Sequence, residues 1–220
     1  MANLKIKLDK GQKLFFTSDT HYNHANICEG TTSWVGGSVK LRPFQTIFKM
    51  NQVIIDNINE VIGQDHILIH LGDWSFGGFD SIREFRNRIN CRNIYILLGN
   101  HDEKIGKNQD NIQDEFLGVF DYLNLIVSED PISKNMGARK HNFVCCHFPI
   151  ASWDGLNKGV IMLHGHVHFE PKLKLQEGKM MDIGVDGNNL KPYELSEILK
   201  IMRTRPIKSL FKFDHHEEER

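Results

Sequence analysis

The first half of the chain alternates short apolar runs with segments of helical periodicity. Residues 13–18, 66–73 and 93–102 are dominated by apolar side chains and end in polar ones, which predicts three buried strands. Between them, residues 45–62 and 79–89 place apolar side chains at every third or fourth position, which predicts two helices. This strand and helix order is typical of a mostly parallel sheet with helices packed against it.

The second half of the chain predicts strands that are not separated by long helices. These strands fall at residues 122–128, 141–147, 159–166 and 179–186. A last helix is predicted at 194–202. We therefore expect an α/β fold of the four-layer α-β-β-α type, with two mixed sheets facing each other, and we expect residues 1–220 to form one domain.

Composition and charge exclude several classes of protein. The chain of 220 residues is 40% hydrophobic and 25% charged, which is typical of a globular domain. Its net charge of −1 argues against a dedicated nucleic-acid surface, and no apolar run is long enough to predict a membrane span. The N-terminus lacks the apolar core of a signal peptide, and the cysteines have no CxxC spacing, so we expect a cytoplasmic protein with reduced thiols.

Polar side chains of the types that bind metal ions follow the predicted strands at the points where those strands end. They are Asp19, His21, Asp73, Asn100, His101, Asp102, His147, His164, His166 and His168. The carboxyl ends of strands are where α/β sheets build their sites, and this mixture of carboxylate, imidazole and amide suits divalent ions of intermediate softness. Two such ions carry more charge than two aspartates neutralise, so the pocket would attract an anion such as phosphate.

The same residues carry a family resemblance. SDTHYNH, HLGD, LLGNHD, CCHFP and HGHVH occur in this order between residues 14 and 168, and they resemble the motifs of the calcineurin-like metallophosphoesterases. TSDTHYNHANI, RPF and DIGVDGNNLKPYEL further resemble a small, single-domain branch from bacteria and phages. The resemblance implies a dinuclear site in which Asp73 bridges two ions. It places Asp19, His21 and His168 at the first ion, and Asn100, His147 and His166 at the second.

The resemblance also implies a mechanism in which a hydroxide shared by the two ions attacks the phosphorus. His101 would be the general acid that protonates the leaving oxygen, with Asp102 fixing its tautomer. The two ions are expected to be Mn²⁺, Fe, Ni²⁺ or Zn²⁺, which this ligand set does not separate. We expect substrate contacts from Asn23, His24 and Arg42, although Arg42 would serve equally well in a structural ion pair.

We predict hydrolysis of a small, nucleotide-like phosphodiester. No additional basic cluster is visible that would hold a dianionic monoester, and residues 30–43 have the composition of a flap that could close over a small ligand. A phosphomonoesterase of the same fold is the first alternative, and a non-catalytic metal-binding module for protein interactions is the second. A nuclease would need a larger basic or aromatic track. The role of His164 stays open, as does the oligomeric state, and residues 212–220 are predicted to be a charged, solvated tail.

Overall fold

Two five-stranded sheets form the framework of the protein in a computed structural model that describes residues 2–34, 41–130, 138–168 and 178–207. The strands within these ranges are β1 (Ala2–Lys7), β2 (Leu14–Thr17), β3 (Ile67–His70), β4 (Asn93–Leu97), β5 (Gly118–Phe120), β6 (Tyr122–Glu129), β7 (Arg139–Cys146), β8 (Ile161–His164), β9 (Met180–Asp182) and β10 (Tyr193–Glu194). The α-helices are α1 (Ile47–Val61), α2 (Phe79–Arg88), α3 (Glu103–Gly106) and α4 (Leu195–Arg203). Short 3₁₀ helices lie at Ala25–Ile27, Gln109–Glu115, Leu156–Lys158 and Val185–Gly187.

Both sheets are mixed, as predicted. The first sheet has the order β1-β6-β7-β8-β9, and only its β6–β7 pair is antiparallel. The second sheet has the order β10-β2-β3-β4-β5, and only its β10–β2 pair is antiparallel. The strands that precede the metal-binding motifs are therefore parallel neighbours, and their carboxyl ends lie along one edge of each sheet.

The pleat of the strands separates two large apolar cores. Phe16 and Ile69 of the second sheet face Phe143 and Leu163 of the first sheet, and together they fill the space between the sheets. Side chains on the opposite face of the second sheet, such as Phe15, pack against the apolar stripes of α1 and α2. This confirms the predicted α/β fold with two facing mixed sheets and helices.

The outer face of the first sheet is covered differently. Trp153 packs there on Val144, Met162 and Met180. In the described ranges this cover is a loop with the 3₁₀ turn at Leu156–Lys158, because the chain crosses from β7 to β8 without a longer helix. Helix α4 instead inserts its apolar face into the core between the sheets. None of the helices in the described ranges combines the length and apolar character needed to cross a membrane.

Some elements differ from the sequence-based expectation. Strand β1 was not predicted, because lysines alternate with its apolar residues, and β5 and β10 are too short to leave a pattern. The strands predicted at 159–166 and 179–186 end early, at His164 and Asp182, where the chain turns toward the site. Residues 35–40 of the predicted flap and the predicted tail at 212–220 lie outside the described residues.

Candidate metal centre

Glycines allow the strand ends to approach one another closely. A Cβ at Gly72 would lie 2.6 Å from the nitrogen of Gly99 and 2.7 Å from Nδ1 of His147, and the φ of Gly72 is +96°. At Gly165 a Cβ would lie 2.0 Å from Oγ of Ser18. Only glycine fits such positions without moving a neighbour. The glycines in HLGD and HGHVH are therefore explained by the packing of one turn against another.

Several of the predicted ligands have a left-handed backbone, which non-glycine residues seldom adopt. The φ values are 57° for Asp19, 47° for His21, 58° for Asp73, 72° for His166 and 48° for His168. Such conformations typically cost about 1–3 kcal/mol each and cluster at functional sites. Hydrogen bonds between the turns hold them: His21 N–H donates to the carbonyl of Asp73 at 3.0 Å, and His166 N–H donates to the Asp19 carboxylate at 3.0 Å.

Asp19, His21 and His168 form a compact cluster that we call the first ligand group. Each offers one ligand atom, and these atoms lie within 4.8 Å of one another. Nε2 of His21 lies 3.2 Å from Nε2 of His168, which in turn lies 3.8 Å from Oδ1 of Asp19. Two imidazole nitrogens and a carboxylate that converge on one point are a donor set that a divalent cation accepts.

The second ligand group contains Asp73, His147 and His166, whose ligand atoms also lie within 4.8 Å of one another. Asn100 belongs to it, because its Oδ1 lies 3.1 Å from Nε2 of His147 and 3.0 Å from Nδ1 of His166. One carboxylate, two imidazoles and one amide oxygen therefore meet in the second group.

Asp73 lies between the two groups. Its Oδ2 is 3.5 Å from Nε2 of His21 and 3.5 Å from Nε2 of His147. Its Oδ1 accepts a hydrogen bond from the backbone N–H of His101 at 3.0 Å. The carboxylate is thus placed symmetrically with respect to one histidine of each group, and this position would suit a ligand shared by two ions.

Hydrogen bonds at Nδ1 determine which ring nitrogen His147 and His168 direct toward the ligand groups. Nδ1 of His147 donates to the carbonyl of Leu71 at 2.7 Å, and Nδ1 of His168 donates to Oδ2 of Asp186 at 2.6 Å. Because both partners only accept, Nδ1 of each ring carries a proton, and Nε2 of the neutral ring would offer its lone pair toward the site. Asp186 was missed in the sequence analysis. It lies in DIGVDGNNLKPYEL, but no spacing rule links it to His168.

Burial and charge shift the pKa values of the ligand side chains. Burial raises the pKa of Asp19 to about 7 and lowers the pKa of His21 well below its usual range. Burial alone would also raise the pKa of Asp73, but His147, His21 and the N–H of His101 hold it below the usual range. Nδ1 of His21 is buried without a hydrogen-bond partner among the described residues. A cation at the first group would favour both the charged form of Asp19 and the neutral form of His21.

His101 and Asp102 are adjacent in sequence but separate in role. The exposed His101 ring lies 5.4 Å from the His21 ring and 4.8 Å from the Phe76 ring. The buried Asp102 carboxylate accepts backbone N–H groups from Asp73 at 2.7 Å, from Trp74 at 3.0 Å and from Gly99 at 2.8 Å. The described residues show no hydrogen bond between Asp102 and the His101 ring. The expectation that Asp102 fixes the tautomer of His101 is therefore corrected: the carboxylate joins the two turns that carry Asp73 and Asn100.

Asn23 and His24 lie behind the first ligand group. The Asn23 side chain donates to Oγ of Ser81 at 2.6 Å and accepts from the Asn51 amide at 2.5 Å, so its polar atoms are engaged within the fold. The His24 ring stacks on Phe76 at 3.8 Å between centroids, and burial lowers its pKa to about 4. The buried His24 ring lies 5.2 Å from the His21 ring and 6.0 Å from the His101 ring.

Arg42 forms a structural ion pair. The sequence had allowed this role equally with a contact to a substrate phosphate. It is 2% exposed, and its guanidinium donates to both oxygens of Asp186, at 2.8 and 3.0 Å. It also donates to the carbonyls of Asp19 at 2.6 Å and of Thr20 at 2.8 Å. These contacts join the turn that carries Asp19 and Thr20 to Asp186.

The three histidines of HGHVH point in different directions. Strand β8 ends at His164, which is fully buried, and its Nδ1 donates to the carbonyl of Gly165 at 2.9 Å. The chain then turns, so that His166 joins the second ligand group and His168 joins the first. The turn at Gly165 therefore distributes neighbouring imidazoles over two clusters.

Comparison with known proteins agrees with this architecture. The family model for calcineurin-like phosphoesterases matches residues 12–207. An uncharacterized protein of Methanocaldococcus jannaschii is 28% identical over 197 residues, which cover 87% of this chain and 92% of the relative. The crystal structure of a protein of unknown function from Aquifex aeolicus is similar in fold, with a TM-score of 0.57, 21% identity and coverage of 87% of this chain and 100% of that one.

The match to the family model extends over most of the chain, and it includes every strand-end motif described above. The two ligand groups supply the carboxylate and imidazole donors expected of a metal-dependent enzyme. The chain therefore belongs to the calcineurin-like phosphoesterase family, whose members use metal ions to hydrolyse phosphate esters.

Proposed function

We propose that the protein is a dinuclear phosphoesterase that hydrolyses small, nucleotide-like phosphodiesters in preference to monoesters. The observation that carries the proposal is the position of Asp73, whose Oδ2 lies 3.5 Å from a histidine nitrogen of each ligand group. A carboxylate so placed is suited to binding two ions at once. Asp19, His21 and His168 would hold one ion, and Asn100, His147 and His166 would hold the other.

Two bound divalent ions would supply Lewis acidity toward the phosphate oxygens and a water of lowered pKa. The role of the chain is to fix the donors before substrate arrives. His147 and His168 are locked by hydrogen bonds from Nδ1, and Asp73 is held in its ionised form by its neighbours. The ligand set suits Mn²⁺, Fe, Ni²⁺ or Zn²⁺, of which we propose Mn²⁺ for the first assays.

We assign the general acid to His101. It is exposed, and it lies beside both Asp73, through its backbone N–H, and the His21 ring. In this scheme its side chain donates a proton to the leaving oxygen, and no carboxylate contact within the described residues fixes its ring. Phe76 packs at 4.8 Å between ring centroids and limits the orientations that the imidazole can adopt.

The preference for a diester rests on charge. Arg42 lies next to the first ligand group, because its guanidinium donates to the carbonyl of Asp19. It is engaged with Asp186 and two carbonyls, so it is not free to neutralise an additional phosphate charge. Arg42 would therefore add nothing to the charge that the metal ions offer to a monoester dianion. A phosphodiester carries one negative charge and needs less compensation.

Two alternatives remain in view. A phosphomonoesterase would use the same ligands and differ only in substrate. A non-catalytic module for protein interactions would bind metal without turnover, and the complete set of donors together with His101 speaks against it.

We also expect a cytoplasmic location, because the described cysteines are free thiols, three of them buried.

The decisive assay compares two chromogenic substrates. Metal-stripped protein is reloaded with each candidate ion and tested on bis(4-nitrophenyl) phosphate and on 4-nitrophenyl phosphate, then on cyclic and linear nucleotides. Asp73→Asn serves as the matched inactive control. We expect metal-dependent turnover with a higher kcat/KM on the diester. Turnover of monoesters only would favour the first alternative, and metal binding without any turnover would favour the second.

A further inference from the structure

A cleft opens beside the proposed general acid. It has a volume of about 240 Å³, and its walls include Ser75, Phe76 and Gly78 on one side and Asn100, His101 and Lys104 on the other. Asn100 belongs to the second ligand group, so the cleft adjoins the metal centre. A cavity of this size accepts a small ring or sugar, since pockets for larger, drug-sized ligands run from about 300 to 1,000 Å³.

Lys104 brings an unmatched positive charge into this cleft. Its ammonium lies against the backbone of Gly78, where a Cβ would be 2.9 Å from Nζ, and 5.1 Å from the centre of the Phe79 ring. It forms no ion pair or hydrogen bond with any residue in the described ranges. Gly78 has a φ of +88° and no side chain, which leaves room for the ammonium at that wall.

The carboxylates that line the cleft are already engaged. Asp102 accepts three backbone N–H groups, and Glu103 forms an ion pair with Lys107. Ser75 also lines the cleft, and its buried Oγ has no hydrogen-bond partner among the described residues. Among the described residues, the cleft therefore has a cation without an ion pair and a hydroxyl without a hydrogen-bond partner.

We infer that this cleft binds the alcohol part of the substrate and that Lys104 selects an alcohol that carries a second anionic group, such as a carboxylate or a phosphate. The inference rests on the proposed function, because it places the leaving group on the side of His101. A leaving oxygen protonated by His101 would have the rest of its alcohol in the cleft lined by that histidine. Lys104 is then a specificity-determining residue, and it takes no part in the chemistry.

Matched aryl esters test the inference. The probes are methyl phenyl phosphate and methyl 4-carboxyphenyl phosphate, with the corresponding monoesters phenyl phosphate and 4-carboxyphenyl phosphate. The carboxylate lies far from the scissile bond and lowers the basicity of the phenolate only slightly, so the readout is how far each variant changes the ratio of the two kcat/KM values. The wild type should favour the carboxyphenyl ester by roughly tenfold to a hundredfold in kcat/KM, the range expected for one charge-assisted hydrogen bond.

Lys104→Ala should lower this preference by about the same factor, and Lys104→Glu should lower it further. Lys200→Ala, which changes an exposed lysine of α4 outside the cleft, should retain the preference. Thermal melting of each variant checks that the fold is intact. Equal kcat/KM values for both esters in the wild type, or a ratio of the two values that Lys104→Ala and Lys104→Glu leave unchanged, would overturn the inference and leave the phosphoesterase intact. Hydrolysis of neither ester series by metal-loaded wild type would overturn the proposed function and this inference with it.

Discussion

Oδ2 of Asp186 lies 2.6 Å from Nδ1 of His168, and this contact makes Nε2 the nitrogen that His168 presents to the first ligand group. The same carboxylate accepts two hydrogen bonds from the buried Arg42. Burial would raise the pKa of Asp186, but Arg42 and His168 hold it below the usual range. A permanently ionised carboxylate behind a metal-binding histidine orients the ring and increases its basicity.

Asp186→Asn should weaken binding of one divalent ion by about 10–100-fold, the usual effect of losing a carboxylate behind a metal-binding histidine. Calorimetric titration of Mn²⁺ into the metal-free variant measures this. Glu60→Gln, which changes an exposed carboxylate paired with Lys191, is the control and should bind like the wild type. Unaltered affinity in Asp186→Asn would show that the contact with His168 is incidental.

Arg42→Met should reduce the free energy of unfolding by about 3–5 kcal/mol, because it leaves Asp186 buried without its partner. Urea denaturation of the metal-free protein measures the change, and Arg203→Met, at an exposed position of α4, should have a much smaller effect. A stable Arg42→Met protein with a raised KM would contradict the structural role. It would return Arg42 to the phosphate contact that the sequence also allowed.

His70 should make the metal-free protein sensitive to acid. Its ring is buried, with Nδ1 accepting from Gly72 N–H at 3.2 Å and Nε2 at 2.9 Å from Oγ1 of Thr20, and burial lowers its pKa to about 3. The unfolded chain, in which histidine has a pKa of about 6.5, binds a proton in the window where the folded state does not. The contribution of His70 to stability therefore falls as the pH drops from about 6.5 toward 3, with a limiting slope of about 1.4 kcal/mol per pH unit.

A comparison of His70→Asn with the wild type separates the pH dependence of stability that His70 causes from the pH dependence that the buried carboxyl groups cause. Asp19 and Asp102, whose pKa values burial raises to about 7 and about 6, act with the opposite sign, because their folded forms retain protons that the unfolded chain releases. Unfolding free energies at several pH values, with chelator present, should show a shallower acid loss in His70→Asn than in the wild type. Parallel curves would mean that His70 is protonated in the fold.

His101→Ala should have an effect that depends on the leaving group. With 4-nitrophenolate, which departs as an anion, the loss in kcat should be small. With an alkoxide leaving group the loss in kcat should approach roughly 10²- to 10⁴-fold, which is typical of a missing general acid. Metal content should stay at the wild-type level in the same protein. Equal losses on both kinds of substrate with metals retained would speak for substrate positioning, and loss of metal would make His101 part of the centre itself.

Much of the fold could be predicted because apolar runs and polar strand ends alternate clearly in this chain. The runs that became β2, β3 and β4 each end directly before a metal-binding motif, and the parallel order of these strands brings Asp19, Asp73 and Asn100 to one edge. Strand β1 was missed because its burial is partial and lysines alternate along it. Its position follows from long-range pairing with β6, which local periodicity does not reveal.

The details of the site were less accessible to sequence reasoning. Asp102 follows His101 directly, so proximity in the chain suggested a contact, yet its side chain turns to the N–H groups of Asp73, Trp74 and Gly99. The pairing of Asp186 with His168 depends on how the segment after β9 folds back on the turn after β8. Such relationships are set by tertiary packing, because neither residue type nor spacing distinguishes one buried acceptor from another.

The most direct test of the account is a titration of Mn²⁺ into metal-stripped protein while the hydrolysis of bis(4-nitrophenyl) phosphate is followed. Because Asp73 is placed between the two ligand groups, the account predicts that full activity needs two equivalents of Mn²⁺ per chain. Asp73→Asn should lose both the activity and the high-affinity binding of both ions. Activity without metal, or an Asp73→Asn protein that binds two ions and hydrolyses the diester like the wild type, would contradict it.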